Sequence, residues 1–553
     1  MSNEVKSNEI NPMHKICKGG FDINSELKDI PCTCKKDVTP SSRKILPTSL
    51  NTPEVIVHNR CAITLFASYK RALKNTPKPD PSLIPSIHKT MDRYFDDFIE
   101  PSLRNFDYSY SDWFNNMPLQ KQLKIQNMDR SPEEMTKNKY GLLCKGEKQE
   151  VNGKTRAISN IPQQTKHLMG PVCAALEEIA AEHWPGYCGG KTWEETEAFY
   201  KKASDDGFEF TLQGDASAFD ACQHNALKYI DRKIYNHLID EGKIWHCDPN
   251  DFRTVACALT RTLEANTFEQ GKMLKIGKAK VNGTVFSGSA DTTLMNTLRM
   301  AIYNIYTLEQ ANFKINIDYR LLCKGDDFVI FLKHCYDYKQ LYYTYWLPNT
   351  KIPATHAYGL GLVLKFLTFG DYEDIDFCST VCIVDKKNNL FKIARKPDRM
   401  IPFNHYSRTA LSMSKSELKT YYNELATSIE LSAKNLPFYE NYALGYRAQA
   451  NAIQAQPSTP KTGLPPIVLP DDGHRKYLNK MQKLLVKYPN YDRSYIITLL
   501  ERKSPVIIDP EVVYDFLLRK YGLTKMDIQE HKEMITSSFY YPIFDAAAYK
   551  IHQ

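Results

Sequence analysis

The chain has 553 residues, with 72 Lys and Arg against 64 Asp and Glu, a net charge of +8. At roughly 150 residues per domain this length allows three or four domains, and 42% hydrophobic with 25% charged residues is a globular balance that can fill a large core. The 24 Gly and 30 Pro exclude a collagen-like or low-complexity chain, and no apolar run approaches the ~18–20 residues of a membrane-spanning helix.

In chain order, residues 1–50 are polar and turn-rich and read as an N-terminal arm. The opening MSNEVKSNEINPMHK has no apolar signal segment, and its acidic residues speak against a transit peptide. His14, Cys17, Cys32 and Cys34 carry metal-ligand chemistry, but Cys32-Thr-Cys34 is one residue short of the usual zinc knuckle. The fourteen cysteines form no even framework, so reduced thiols in a cytosolic-type compartment are expected. Helical periodicity dominates 55–140, as in Cys61–Leu73 and Ile87–Phe98. Apolar residues alternate at Phe208-Glu-Phe-Thr-Leu212, which predicts a strand.

Ser287-Gly288 then opens a helix with a buried stripe of Leu294, Leu298, Ile302 and Ile305. Thr292, Asn296 and Arg299 align on another face, where polar groups can meet a ligand, and Gly288 admits backbone conformations closed to other residues. Leu321-Leu-Cys323 and Phe328–Leu332 flank Lys324-Gly-Asp-Asp327, predicting a hairpin with a four-residue polar turn. Residues 455–473, with five prolines, read as a linker. In the extension 474–553, Leu478, Met481, Leu484, Leu485 and Tyr488 follow helical spacing beside Arg475, Lys476, Lys480, Lys483 and Lys487.

Asp215 and Asp220 close the first strand, and Asp326 and Asp327 sit at the hairpin tip. These carboxylates converge if the two strands are sheet neighbours. Hard oxygen ligands with open positions suit Mg²⁺. Two such ions ~3.5–4 Å apart activate a 3′-hydroxyl and stabilise a leaving pyrophosphate. Asp pairs also occur at Asp96-Asp97, Asp205-Asp206 and Asp471-Asp472, but Asp326-Asp327 alone is preceded by Gly and flanked by apolar strands.

Taken together, Asp215-x4-Asp220, Ser287-Gly288-x3-Thr292-x3-Asn296 and Gly325-Asp326-Asp327 resemble the ordered motifs of RNA-dependent RNA polymerases of positive-strand RNA viruses, nearest the tombusvirus and nodavirus-like groups. Lys145-Gly-Glu147 with Gly153-Lys154-Thr-Arg156 resembles the family's basic finger motif. Phe377-Cys378-Ser379 resembles its primer-gripping motif, and Gly361-Leu-Val-Leu-Lys365 its intervening motif. The matching motifs run from about 145 to 380.

The resemblance implies an α+β right-hand fold of fingers, palm and thumb, with an antiparallel palm sheet and largely helical fingers and thumb. Fingers would span 51–204 and 223–280, palm 205–222 and 281–385, and thumb 386–454. It implies Asp215 and Asp326 as ligands of two Mg²⁺ ions (Mn²⁺ as an alternative), with Asp327 auxiliary. Asp220 and Asn296 would read the ribose 2′-hydroxyl, supported by Ser287, Gly288 and Thr292. Lys145, Lys154 and Arg156 would neutralise the triphosphate, and Lys365 would protonate the departing pyrophosphate. Phe377, Cys378 and Ser379 would hold the primer end. Lys386, Lys387, Arg395 and Lys396, part of a cationic run with Lys392 and Arg399, would contact the nascent duplex. Expected partners are template and nascent RNA, rNTPs and other viral replication proteins, with membrane association through those partners, in the host cytoplasm. A reverse transcriptase, a non-catalytic RNA-binding replication factor on the same fold, and a generic two-metal nuclease stand as alternatives. Against the first, similar enzymes place an aromatic residue where Asp220 stands; the last leaves the Ser-Gly-x3-Thr-x3-Asn helix unexplained.

Overall fold

The computed structural model describes residues 43–46, 50, 55–57, 65–66, 68–69, 72–73, 76–145, 148–150, 156–269, 272–347, 359–407, 410, 413–433, 436–453 and 507–537. Most of the N-terminal arm, Lys154, the proline-rich stretch and the cationic helix expected at 474–488 lie outside the described residues, as does much of Cys61–Leu73. The chain divides into two units. Unit 1 takes its described residues from 58–146 and 154–378, and unit 2 from 38–57, 147–153 and 379–553.

In unit 1, helix α1 (Ile84–Tyr94) buries Ile87, Met91 and Tyr94, one turn apart, and continues through a π turn at Phe95–Ile99. Strands β1 (Lys139–Cys144) and β2 (Ala157–Asn160) precede the long helix α2 (Gln163–His183). Then come β3 (Phe210–Ala216), α3 (Tyr229–Asp240), β4 (Thr260–Glu269), β5 (Lys272–Asn282) and α4 (Thr292–Glu309). The hairpin of β6 (Tyr319–Lys324) and β7 (Asp327–Leu332) follows, and then β8 (Leu364–Gly370). One sheet has the order β2-β1-β4-β5, with β1 parallel to β4. The other has the order β8-β3-β7-β6 and is antiparallel throughout. Mixed helices and largely antiparallel sheets agree with an α+β class.

Two sequence expectations change in detail. The hairpin turn has two residues, Gly325 and Asp326, because Lys324 and Asp327 already pair across the strands. Gly325 has φ 66°, in the left-handed region that short hairpin turns assign to glycine. A side chain there would meet nothing within 4 Å, so conformation and not crowding explains the residue.

Beyond its first turn, helix α4 has no exposed polar face. Every residue from Leu294 to Leu308 is buried, including Asn296, Arg299, Asn304 and Thr307. A helix enclosed on all sides must satisfy its polar groups within the protein. Accordingly Thr307 donates to the Tyr303 carbonyl and accepts from the Trp346 indole at 2.9 Å, and the Tyr342 hydroxyl donates to Asn304 Oδ1. The main core of the unit gathers around this helix, with Leu294, Leu298, Ile302, Leu321, Phe328 and Ile330 among its members.

Unit 2 contains the hairpin β9 (Thr380–Asp385) and β10 (Leu390–Arg395) and helices α5 (Lys415–Ser432), α6 (Tyr439–Ala452), α7 (Pro510–Tyr521) and α8 (Lys525–Thr536). Helices α5 and α8 begin with reciprocal capping boxes, Ser414 with Glu417 and Thr524 with Asp527. Its core includes Leu418, Tyr422, Tyr442, Tyr446, Phe516 and Ile528. The cationic run is split: Lys386 and Lys387 lie exposed on the β9–β10 turn, while Lys392 is buried in β10. Among the described residues, no helix is long and apolar enough to cross a membrane.

Candidate active site

The first carboxylate is placed by strand pairing. Asp215 on β3 stands directly opposite Asp327 on β7. Like charges opposed across a ladder cost stability, and the adjacent turn adds Asp326. One carboxylate oxygen from each of Asp215, Asp326 and Asp327 lies within 4.8 Å of the others. Burial, then Asp215, pushes the Asp326 carboxyl up to about 6, although this side chain is exposed at the turn tip. Burial, then Asp326, Asp215 and Asp376, pushes Asp327 up to about 7. Three hard oxygen donors crowded against their own repulsion fit a divalent cation such as Mg²⁺. A cation there would offset the repulsion that, after burial, raises both groups.

Lys365 meets this cluster through a local irregularity. The β8–β3 register shifts between Leu364 and Phe366, so Lys365 is the extra residue of a bulge. Such bulges re-aim a side chain. Its ammonium donates to Asp215 Oδ2 at 2.6 Å while the side chain stays 60% exposed. This contact is specific in a way that the surrounding sequence pattern does not reveal.

Asp220 follows β3 in a short 3-10 turn, entered through Ala218, a non-glycine residue at φ 51°. Its Oδ1 accepts from Asn296 Nδ2 at 2.6 Å, and its backbone carbonyl accepts from the Val285 amide at 2.8 Å. Burial raises the Asp220 carboxyl, opposed by Asn296, Arg299 and Arg156. The positive charge of Arg156 also lowers Asp326. The Lys145 amide donates to the Arg156 carbonyl at 2.8 Å, which joins the two described members of the basic motif.

The Ser287-Gly288 segment is pinned to β2. The Ser159 amide donates to the Ser287 carbonyl at 2.6 Å. Gly288 has φ 104°, and a Cβ there would lie 2.5 Å from the Ser159 carbonyl oxygen, so both conformation and space require glycine. Thr292 donates its hydroxyl to the Phe286 carbonyl at 3.0 Å, closing the loop.

Cys378 and Ser379 both take positive φ, 55° and 59°. Phe377, expected to grip RNA, is buried at 4% exposure and offers no open face. Ser379, Lys386, Lys387, Arg395 and Lys396 belong to unit 2. Arg299 corrects an expectation: it is fully buried, so it supports Asn296 from within and does not face a ligand.

Sequence reasoning missed Thr297 and Asp231. Thr297 donates to the Thr293 carbonyl and accepts from the Gly325 amide at 2.9 Å, fastening the hairpin turn to α4. Asp231 on α3 pairs with Arg299, 68 residues away. Neither residue sits in a motif, and each acquires its role only by packing. The chain matches no protein-family model, and no curated protein matches it.

Proposed function

We propose that this chain is an RNA-directed RNA polymerase of the kind positive-strand RNA viruses use, adding rNTPs to an RNA 3′ end on an RNA template. One observation carries the reading. Three short segments far apart in the sequence supply a single arrangement, with Asp215 opposite Asp327, Asp326 beside them, and Asn296 on Asp220.

Asp215, Asp326 and Asp327 would hold divalent ions, Mg²⁺ or Mn²⁺, which when bound activate the 3′-hydroxyl and neutralise the leaving pyrophosphate. The remaining roles fall to the chain itself. Asp220, kept in place by Asn296, accepts from the ribose 2′-hydroxyl, a group that distinguishes RNA precursors from DNA precursors. A small carboxylate there disfavours the reverse-transcriptase reading. Arg156, whose charge acts on Asp220 and Asp326, binds triphosphate oxygens, with Lys145 and Lys154 from the same motif. Lys365 holds a proton at Nζ beside Asp215 and donates it to the departing pyrophosphate. Cys378 borders the RNA 3′ end. Fingers, palm and thumb would follow the boundaries given above. The partners would be RNA, rNTPs and other viral replication proteins, at replication complexes in the host cytoplasm.

The test is primed and unprimed synthesis on a defined RNA template with Mg²⁺ and all four rNTPs. Template-dependent extension that Asp326→Asn abolishes is the expected result. No extension, with or without primer, by a folded protein would overturn the reading.

A further inference from the structure

We propose that Arg299, braced by Asp231, is a positioning residue for sugar selection, an inference that rests on the polymerase reading and extends it. The groups form one continuous chain from the interior to the site. Asp231 Oδ2 accepts from Arg299 Nη1, Arg299 Nη2 donates to Asn296 Oδ1 at 2.6 Å, and Asn296 Nδ2 donates to Asp220 Oδ1 at 2.6 Å. Asp231, Arg299 and Asn296 are exposed by 3%, 0% and 4%, so water does not compete freely for these bonds.

The order of donors and acceptors fixes the amide. A guanidinium only donates, so the Asn296 atom that meets Arg299 must be the carbonyl oxygen. The amide nitrogen then faces Asp220, an acceptor when ionised. With the amide reversed, its oxygen would confront the Asp220 carboxylate and its NH₂ would confront the Arg299 donors. Both contacts would be lost at once. Arg299 therefore sets which way Asn296 points, and Asp231 sets where Arg299 sits. Bonded through Oδ1, Asp220 keeps Oδ2 for a sugar hydroxyl, and dNTPs have no hydroxyl to offer it.

The role predicts how selectivity fails. Loosening Asn296 weakens rNTP capture and leaves dNTP use as it was, because the lost contact is to the 2′-hydroxyl. Asp231→Asn removes the charge that anchors Arg299, and Arg299→Lys keeps a cation but cannot bridge both partners. Each should lower the rNTP-over-dNTP ratio of kcat/KM about tenfold, the scale on which supporting partners of a site act, mainly through a higher KM for rNTP. Asn296→Ala should lower the ratio at least as far, and adding Asp231→Asn to it should change nothing more.

The experiment measures single-nucleotide incorporation of rATP and dATP by the full chain and these variants, with thermal unfolding as the check on folding. Folded variants with the wild-type ratio would overturn the positioning role. So would additive losses in the Asn296→Ala background, since the brace would then act by another route. A wild-type chain that incorporates neither nucleotide would overturn the polymerase reading and this role with it, whereas an active wild type with unaltered variants overturns the role alone.

Discussion

At the hairpin tip, Asp215, Asp326 and Asp327 crowd like charges together, whereas in the interior of the same unit Asp231 and Asp291 sit among Lys228, Arg261 and Arg299. Burial alone does not separate the two clusters. Asp291 is buried at 5% exposure, yet its carboxyl lies below the ordinary range: burial pushes it up, and Arg261 foremost, then Ser289, Lys228 and Arg299, outweigh that push, whereas at neighbouring Asp231 burial prevails and the carboxyl is raised. Asp326 is more exposed and is pushed up to about 6. The difference is compensation. At Asp291 opposite charges outweigh burial, whereas at Asp326 and Asp327 like charges add to it, even with Lys365 paired to Asp215.

The sharpest way to break this contrast is to neutralise one acid in each cluster. Asp326→Asn should reduce nucleotide addition about 10²-fold or more, the usual loss when a transition-state charge contact is removed. Its melting temperature should stay level or rise, because repulsion is relieved. A variant with wild-type synthesis at matched Mg²⁺ would remove Asp326 from the chemistry. Asp291→Asn should do the reverse and lower stability, since the interior loses one of the negative charges that act on Arg261 and Lys228. Denaturant unfolding of the two variants side by side checks both halves.

Cation binding gives a smaller effect of the same kind. Mg²⁺ or Mn²⁺ at 100 times its dissociation constant should stabilise the protein by about 2.7 kcal/mol. Asp327→Asn should abolish most of that shift in a thermal melt. An equal shift in wild type and variant would place the cation elsewhere.

The least effect is a pH slope from the interior. Burial, then Arg261, pushes Lys228 down to about 7 from an ordinary 10.5. Between those values the unfolded chain binds the extra proton, so this group's contribution to stability rises with pH from about 7 to 10.5, and its penalty is full below 7. Lys228→Met should flatten that part of the melting-temperature profile and raise the value at neutral pH. An unchanged slope would show that Lys228 is better compensated than its surroundings suggest.

Much of the candidate site was legible from local pattern. The alternation at Phe208–Leu212 located β3 to within two residues of its start at Phe210. The apolar runs around Gly325-Asp326-Asp327 predicted the hairpin, although its turn proved shorter because the strands pair up to Lys324 and Asp327. Gly288 was singled out for backbone freedom and is required for close approach as well. The polar face expected at Thr292, Asn296 and Arg299 differs in one respect, since Asn296 and Arg299 are buried. Periodicity reports which residues share a side of a helix, and from Leu294 to Leu308 α4 is buried on every side.

What the sequence by itself determined is the set of residues whose chemistry needs only a local frame: carboxylates at a strand end and a turn, a glycine at a tight bend, an amide one helical turn beyond a threonine. Side-chain type, short-range spacing and strand or helix period are enough for these, because each is encoded within a few residues. Tertiary structure alone decided the rest. It set Asp215 against Asp327, turned Lys365 to Asp215 through a bulge, fastened Gly325 to Thr297, and joined Asp231 to Asp220 through Arg299 and Asn296. The physical reason is that these contacts span long stretches of chain and depend on strand order and helix burial, which no window of neighbouring residues contains.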